Sequence, residues 1–370
     1  MSEPTHTSSV DRRNFLKTAG AGLTALGAAF GGHVPAWAAE TAQLSEKGRF
    51  ERIASCSYPI RILFKNRPGG RGGAAGGGQL SAVKQQYGEI TMLDFPQFTK
   101  DTFPGVTKMD IYSALFGDVT DDSMFTRGFD PSTPSGKKWL DQLANKLVLT
   151  GTTVQHISNN APVDLADPDP VKRKAGVEIA KKWLDGCKVL DPKSMRMNSP
   201  QALGPSIRPN AIPRAGDGYP RNLDIVPLLD AAIESYKEMA DYGGKLGIRV
   251  TFENHWGLAA DPMNIRIMLD AINHPYCEAS PDFCNWEHEY MLFNGLKALA
   301  PYSHTNVHAK YWDRWGDRND VQRSVRIMLA AGFKGTFALE YETGPLNGIE
   351  GAKYLFKEVM AALSSPVPVI

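Results

Sequence analysis

Apolar residues in this chain switch period repeatedly. Short runs in which apolar and polar positions alternate every second residue are separated by longer stretches in which apolar positions recur at three and four. The short runs, residues 52–58, 106–112, 152–158, 194–199, 248–255, 278–284, 304–310 and 335–342, read as strands. Residues 225–243 are the clearest helix: Leu228, Leu229, Ala232, Ile233, Tyr236 and Met239 form one apolar stripe opposite Asp230, Glu234 and Lys237. The stretch after Gly348 repeats the pattern with Ala352, Leu355, Phe356, Val359 and Met360. Strict alternation of strand and helix predicts an α/β fold with a parallel sheet, and eight repeats predict closure into a single-domain (β/α)8 barrel. A doubly wound open sheet is the competing topology, but it would not gather successive strand ends at one point.

The N-terminus does not follow this pattern. Asp11, Arg12, Arg13, Asn14, Phe15, Leu16 and Lys17 form a twin-arginine pattern, followed by a Gly- and Ala-rich apolar run and then by Ala36-Trp37-Ala38. The expectation is a signal peptide over residues 1–38, export through the twin-arginine (Tat) route to the periplasm or beyond, and a mature chain over 39–370. The run is interrupted by Gly20, Gly22, Gly27, Gly31 and Gly32, so no stable membrane anchor is expected.

Composition narrows the partners. The whole chain carries a formal charge of +1, and its leader accounts for that charge, leaving a neutral body with no basic block. Nucleic acid and anionic membrane surfaces are thereby disfavoured, and a small carbohydrate is the expected partner, with self-association into a homo-oligomer left open. Cys56, Cys187, Cys277 and Cys284 lack any CxxC spacing and read as free thiols rather than disulfides. The Gly-rich stretch at 68–78 fits no phosphate-binding motif and reads as a flexible loop at the barrel mouth.

The candidate chemistry lies at four strand ends. Glu253, Asp282, His308 and Glu340 are 29, 26 and 32 residues apart, about one βα unit per step. In a parallel barrel these ends open on one face. Alternation agrees: Val250, Phe252, Val307, Ala309, Phe337 and Leu339 would face the helices, leaving Glu253, His255, His308, Lys310, Ala338, Glu340 and Glu342 facing inward. Crowded carboxylates call for a cation, and mostly oxygen donors with one nitrogen favour Mn²⁺ or Mg²⁺, with Co²⁺ or Zn²⁺ as further candidates.

The segments VTFENHWG (250–257), PDFCN (281–285), NVHAK (306–310) and FALEYE (337–342) make the chain similar to the xylose-isomerase-like TIM-barrel superfamily. Within it, the sugar phosphate isomerase/epimerase branch, which includes the ketose 3-epimerases, is the one it resembles most. That resemblance implies one divalent ion on Glu253, Asp282, His308 and Glu340. It also implies that Glu253 and Glu340 carry protons on opposite faces of a metal-bound enediolate, and that Arg314 contacts substrate. The chain has Asn285 where those epimerases place a His and Ala259 where they place a second Glu. His255, Lys310, Asn198, His156 and Trp256 are further substrate-side candidates. The expected activity is an exported, metal-dependent sugar isomerase or epimerase. The alternatives are a metal-dependent lyase or hydrolase of oxidised (3-keto) glycosides, and a non-enzymatic sugar-binding protein.

Overall fold

A computed structural model describes residues 44–65, 77–118, 120–121, 124, 128–197 and 224–365. The leader (1–38), most of the Gly-rich stretch (66–76), and residues 198–223 with Asn198 lie outside the described residues. Among the described residues no helix is long and apolar enough to cross a membrane.

All eight predicted strands form: β1 Ile53–Cys56, β2 Lys108–Tyr112, β3 Thr153–Ser158, β4 Ser194–Arg196, β5 Arg249–Phe252, β6 Cys277–Ala279, β7 Asn306–Trp312 and β8 Thr336–Thr343. Several are shorter than their alternating runs, because the polar C-terminal residues leave the ladder to build the mouth of the barrel. The helices are α1 Glu46–Phe50, α2 Gly77–Tyr87, α3 Phe95–Thr102, α4 Pro134–Thr150, α5 Pro170–Cys187, α6 Val226–Leu246, α7 Pro262–Ile272, α8 Met291–Leu299, α9 Val321–Ala330 and α10 Gly348–Ser364.

Local chemistry explains where the helices begin and end. Pro134, Pro170 and Pro262 open α4, α5 and α7, where a missing N–H costs nothing. Asp261 accepts from the Met263 N–H at 2.8 Å, and Asp320 from the Arg323 N–H at 2.8 Å, capping α7 and α9. Gly247, at φ 73°, ends α6 in the left-handed conformation and turns the chain into β5.

The strands run in the order β6-β5-β4-β3-β2-β1-β8-β7, every ladder parallel. The two outer strands meet through a parallel bridge between Asp282 and His308. The His308 N–H donates to the Pro281 carbonyl at 3.1 Å and the Phe283 N–H to the His308 carbonyl at 3.1 Å, which closes the barrel.

Apolar residues fill the layer between strands and helices. Phe252 stacks on Tyr236 of α6 with ring centroids 3.6 Å apart, so it points outward as alternation predicts. A Cβ on Gly351 would lie 2.2 Å from the Tyr341 ring, so α10 packs directly on β8. Inside the barrel, Ala54, Cys56 and Ala338 form a small apolar plug. Polar residues lie beside it: Thr336 Oγ1 donates to Asn306 Oδ1 at 2.6 Å, and Asn306 Nδ2 to Asp110 Oδ2 at 2.9 Å. All four cysteines are free, and three of them are buried.

Glu278 of β6 is a buried acid that faces a half-buried arginine. Its Oε1 accepts from the Thr305 N–H at 3.2 Å, and Arg249 Nε stands 3.5 Å from Oε2. Burial pushes its pKa up to about 7, only partly offset by Thr305 and Arg249. The folded chain thus holds this proton more tightly than the unfolded chain. The stability it contributes is complete below the ordinary Glu pKa and is lost as pH rises to about 7. Glu278→Gln is expected to remove that loss, giving a higher thermal midpoint than wild type at about pH 8 and little difference at about pH 4. Parallel pH–stability curves for the two proteins would show that Glu278 does not titrate in this range.

Candidate active site

The C-terminal ends of β4 to β8 converge on a buried cluster of charges. Lys310, from β7, sits at its centre. Its Nζ lies 3.2 Å from Asp282 Oδ2, 3.1 Å from Glu340 Oε1 and 3.0 Å from Glu342 Oε2, and it donates to Asn285 Oδ1 at 3.0 Å. Burial alone would discharge the ammonium, but Asp282, Glu340 and Glu342 hold its pKa well above the usual lysine value. Glu342 also accepts from the Tyr58 hydroxyl at 3.0 Å.

Glu253 follows β5 and is held from two sides. Arg196, at the end of β4, donates Nη1 to its Oε2, and Asn285 donates Nδ2 to its Oε1 at 2.9 Å. Burial opposes ionisation of Glu253, yet Arg196, His308, His255 and Lys310 together hold its pKa well below the usual range. Arg196 is itself fixed by a 2.7 Å bond to Asn160 Oδ1. The result is a buried carboxylate kept anionic.

Asp282 lies three residues beyond β6, where no ladder positions it. Asn254 does so instead: it accepts from the Asp282 N–H at 2.7 Å and donates to the carbonyls of Asp282 (3.0 Å) and Asn285 (3.1 Å). Asp282 Oδ1 accepts from the amides of Cys284 and Asn285 at 2.6 and 3.1 Å. Its Oδ2 is buried without a hydrogen bond, facing Lys310. Burial, with Glu340 and Glu253 near, pushes the Asp282 pKa up to about 7 despite Lys310.

His308 has two unlike nitrogens. Nε2 lies 2.9 Å from Asp110 Oδ2, and Asp110 is held ionised, against burial, by the His308 ring and the Ser158 hydroxyl. An ionised carboxylate accepts, so Nε2 carries the hydrogen. Nδ1 is buried without a hydrogen bond, 3.5 Å from Glu253 Oε2 and 3.6 Å from Glu340 Oε2. Burial opposes charge on this ring, but Glu253, Glu340 and Asp110 push its pKa up to about 10. The pocket demands positive charge at Nδ1.

These positions test whether the site fits a divalent ion. One donor atom each from Glu253, Asp282 and His308 lie within 4.8 Å of one another. Glu340 Oε2 lies 3.6 Å from Nδ1 but outside that mutually close set of three, so it would have to shift to join them. An ion bound at about 2.1 Å from each donor brings the donors roughly 3–4 Å apart, the spacing seen between Nδ1 and both glutamates. A histidine whose second nitrogen is anchored by a carboxylate is the usual preparation of a metal ligand. The donor set fits, with Lys310 as the competing cation.

The remaining predicted residues divide. His156 is enclosed in the barrel, with Nδ1 2.8 Å from Ser194 Oγ and its ring 5.9 Å from that of His308. Burial lowers its pKa to about 4, keeping it neutral. His255 and Trp256 are half-buried at the rim, their rings 6.4 Å apart. Arg314 meets none of the carboxylates; Nη2 donates to the Glu287 carbonyl at 3.0 Å and the guanidinium stacks on Trp315 at 4.6 Å. Asn198 lies outside the described residues. Asp110, Asn160 and Asn254 support the site although the sequence reading gave them no role. For Asp110 a signal existed, because alternation through Lys108, Asp110 and Tyr112 turns it to the same face of β2 as two other polar residues.

Known proteins agree with this architecture. The family described as "Xylose isomerase-like TIM barrel" matches residues 122–362. No curated protein matches the chain significantly. A xylose isomerase-like TIM barrel protein from Mycobacterium smegmatis, solved with magnesium, superposes at TM-score 0.53 with 15% identity, over 85% of this chain and 99% of that one. The 3-keto-D-glucoside 4-epimerase YcjR of E. coli gives TM-score 0.53 and 12% identity, over 72% of this chain and 94% of that one. An L-ribulose 3-epimerase gives TM-score 0.53 and 13% identity, over 84% and 94%. At these identities the structures establish the shared fold, while the family match spans well over half the chain: this protein belongs to the xylose isomerase-like TIM barrel family.

Proposed function

We propose that the protein is a divalent-metal-dependent sugar isomerase or epimerase that moves a proton on a carbon beside a carbonyl. The observation that carries this reading is the unbonded Nδ1 of His308, set against two glutamate carboxylates while Asp110 fixes Nε2. Support comes also from two structural relatives named above. A 3-keto-glucoside 4-epimerase and a ribulose 3-epimerase both, by name, invert the centre next to a ketone.

Glu253, Asp282, His308 and Glu340 would hold the ion. When bound, it supplies Lewis acidity toward a carbonyl oxygen and so stabilises charge that develops there. The chain's own residues do the rest. Arg196 and Asn285 keep Glu253 ionised and aimed, which leaves it free to accept the α-proton but as a weaker base than an ordinary glutamate, so the carbon must be acidified by its carbonyl. Glu340, the second carboxylate at Nδ1 and held by Lys310, would deliver to carbon a proton it has first taken from solvent, while Glu253 gives its proton up to solvent. Return to the opposite face of the same carbon inverts it; return to the neighbouring carbon moves the carbonyl. With a leaving group one carbon further on, the same abstraction yields elimination, the lyase reading that an oxidised glycoside would permit. We also propose export of the mature chain through the twin-arginine route.

Calorimetric titration with Mg²⁺ or Mn²⁺ is expected to show a single site in wild type and none in Asp282→Ala. In Lys310→Met, which removes the competing ammonium, binding should tighten by about tenfold or more while the metal-free protein melts lower. Equal affinity in Lys310→Met would mean that ammonium and ion do not share oxygens.

Glu253→Gln and Glu340→Gln keep shape but cannot accept a proton. Each is expected to slow deuterium uptake from solvent into ketoses or 3-keto-glycosides by about 10²–10⁴-fold, with circular dichroism unchanged. Undiminished exchange in either variant assigns the proton transfer to another group.

Replacing Arg12 and Arg13 by Lys is expected to retain full-length protein in the cytoplasm. Normal appearance of processed protein outside would point to another export route.

A further inference from the structure

Of the six tryptophans among the described residues, four are buried: Trp139, Trp183, Trp286 and Trp315. Trp256 and Trp312 are not. Both sit at the rim, Trp256 three residues after Glu253 and Trp312 at the end of β7, their rings 6.2 Å apart at 81°. The Trp312 ring centroid is 5.9 Å from Lys310 Nζ, so this corner borders the carboxylate cluster.

Trp256 sits on a strained backbone, at φ 65° and ψ 179°, a conformation ordinarily left to glycine that costs a side-chain-bearing residue about 1–3 kcal/mol. Such strain beside a carboxylate cluster is typical of ligand-gripping positions.

Arg314 completes the corner. Its guanidinium lies 5.3 Å from the Trp312 ring and 5.8 Å from the Trp256 ring, besides its stack on Trp315. Nη2 is satisfied by the Glu287 carbonyl, but Nη1 is buried with no hydrogen-bond partner. A buried guanidinium N–H lacking an acceptor is costly, and a ligand oxygen would satisfy it.

We propose that Trp256, Trp312 and Arg314 form a subsite for a second, uncharged sugar ring, so that the substrate is a glycoside rather than a free monosaccharide. This rests on the sugar-enzyme reading above. Two indole faces at right angles cannot both lie flat against one ring. A sugar engaged at the carboxylate cluster covers one of them at most. A second pyranose offers an apolar C–H face to the other indole and hydroxyl oxygens to Nη1, the mixture of apolar wall and few polar anchors that small-molecule sites use. A phosphate is a poor occupant. Arg314 has Glu287 beside it, and Lys310 is already shared among three carboxylates.

The test is tryptophan fluorescence titration of the full-length mature protein with methyl β-glucoside, cellobiose, maltose and glucose 6-phosphate. At least one disaccharide is expected to bind about tenfold tighter than the methyl glycoside. Trp312→Ala should erase that advantage and leave the methyl glycoside's affinity within about twofold, while Trp312→Phe, which preserves a packed ring, keeps most of it. Equal binding of mono- and disaccharides overturns the subsite, as do absent binding, tightest binding of the sugar phosphate, or an advantage that survives Trp312→Ala. Proton exchange on free ketoses without any disaccharide preference would sink the subsite alone. A disaccharide preference without exchange on any sugar would sink the isomerase reading alone.

Discussion

Everything at the mouth of this barrel follows from the cost of crowding carboxylates away from water. Glu253, Asp282 and Glu340 are buried within reach of one imidazole, and Glu342 adjoins them at the rim. Unpaired, such a group would be protonated or would break the fold. The protein answers with two cations of different kinds. Arg196 binds one carboxylate through directed hydrogen bonds and cannot lose its charge. Lys310 is a point charge on a flexible stem, shared by three carboxylates and an amide oxygen. Only the lysine can move aside for another cation without dismantling its neighbours. Permanent charge therefore guards Glu253, and movable charge guards the rest.

Behind this cluster lies a polar column. Thr336 bonds Asn306, Asn306 bonds Asp110, and Asp110 bonds His308. Each member is buried, so a change at the base of the barrel reaches the imidazole through three hydrogen bonds. The asymmetry of His308 is thus set from below, by residues that touch no substrate. Asn285 and Asn254 act similarly from the side, the first bridging Glu253 and Lys310, the second fixing the backbone that carries Asp282.

Much of this was legible in the chain because alternation has a two-residue period and a wrong phase would bury charge against the helices. Phe252 on Tyr236 and Ala338 in the interior plug show the phase predicted for β5 and β8. Glu253, Asp282, His308 and Glu340 were found together because each ends an apolar run at βα spacing. Asp110 was not found, since one aspartate in a five-residue strand looks like a solvated charge until the barrel closes around it. Lys310 read as a substrate-side group because sequence shows which face a residue takes but not how far a four-carbon chain bends back. Arg314 could not be placed at all without Trp312 and Trp315, whose convergence depends on how the chain turns after β7. The loops that hold Asn198 and most of the glycine-rich stretch carry no periodic pattern.

One feature of the fold binds these threads. Around most of the sheet, neighbouring strands pair through regular ladders, but β6 and β7 meet at the bridge formed by Asp282 and His308. The seam that completes the cylinder is stitched by two of the groups expected to grip an ion. A barrel that gapes there scatters its donors, and a ligand that draws the donors together pulls the cylinder shut. An ion held by both groups would therefore also brace this seam, a clasp where the sheet has a bridge in place of a ladder.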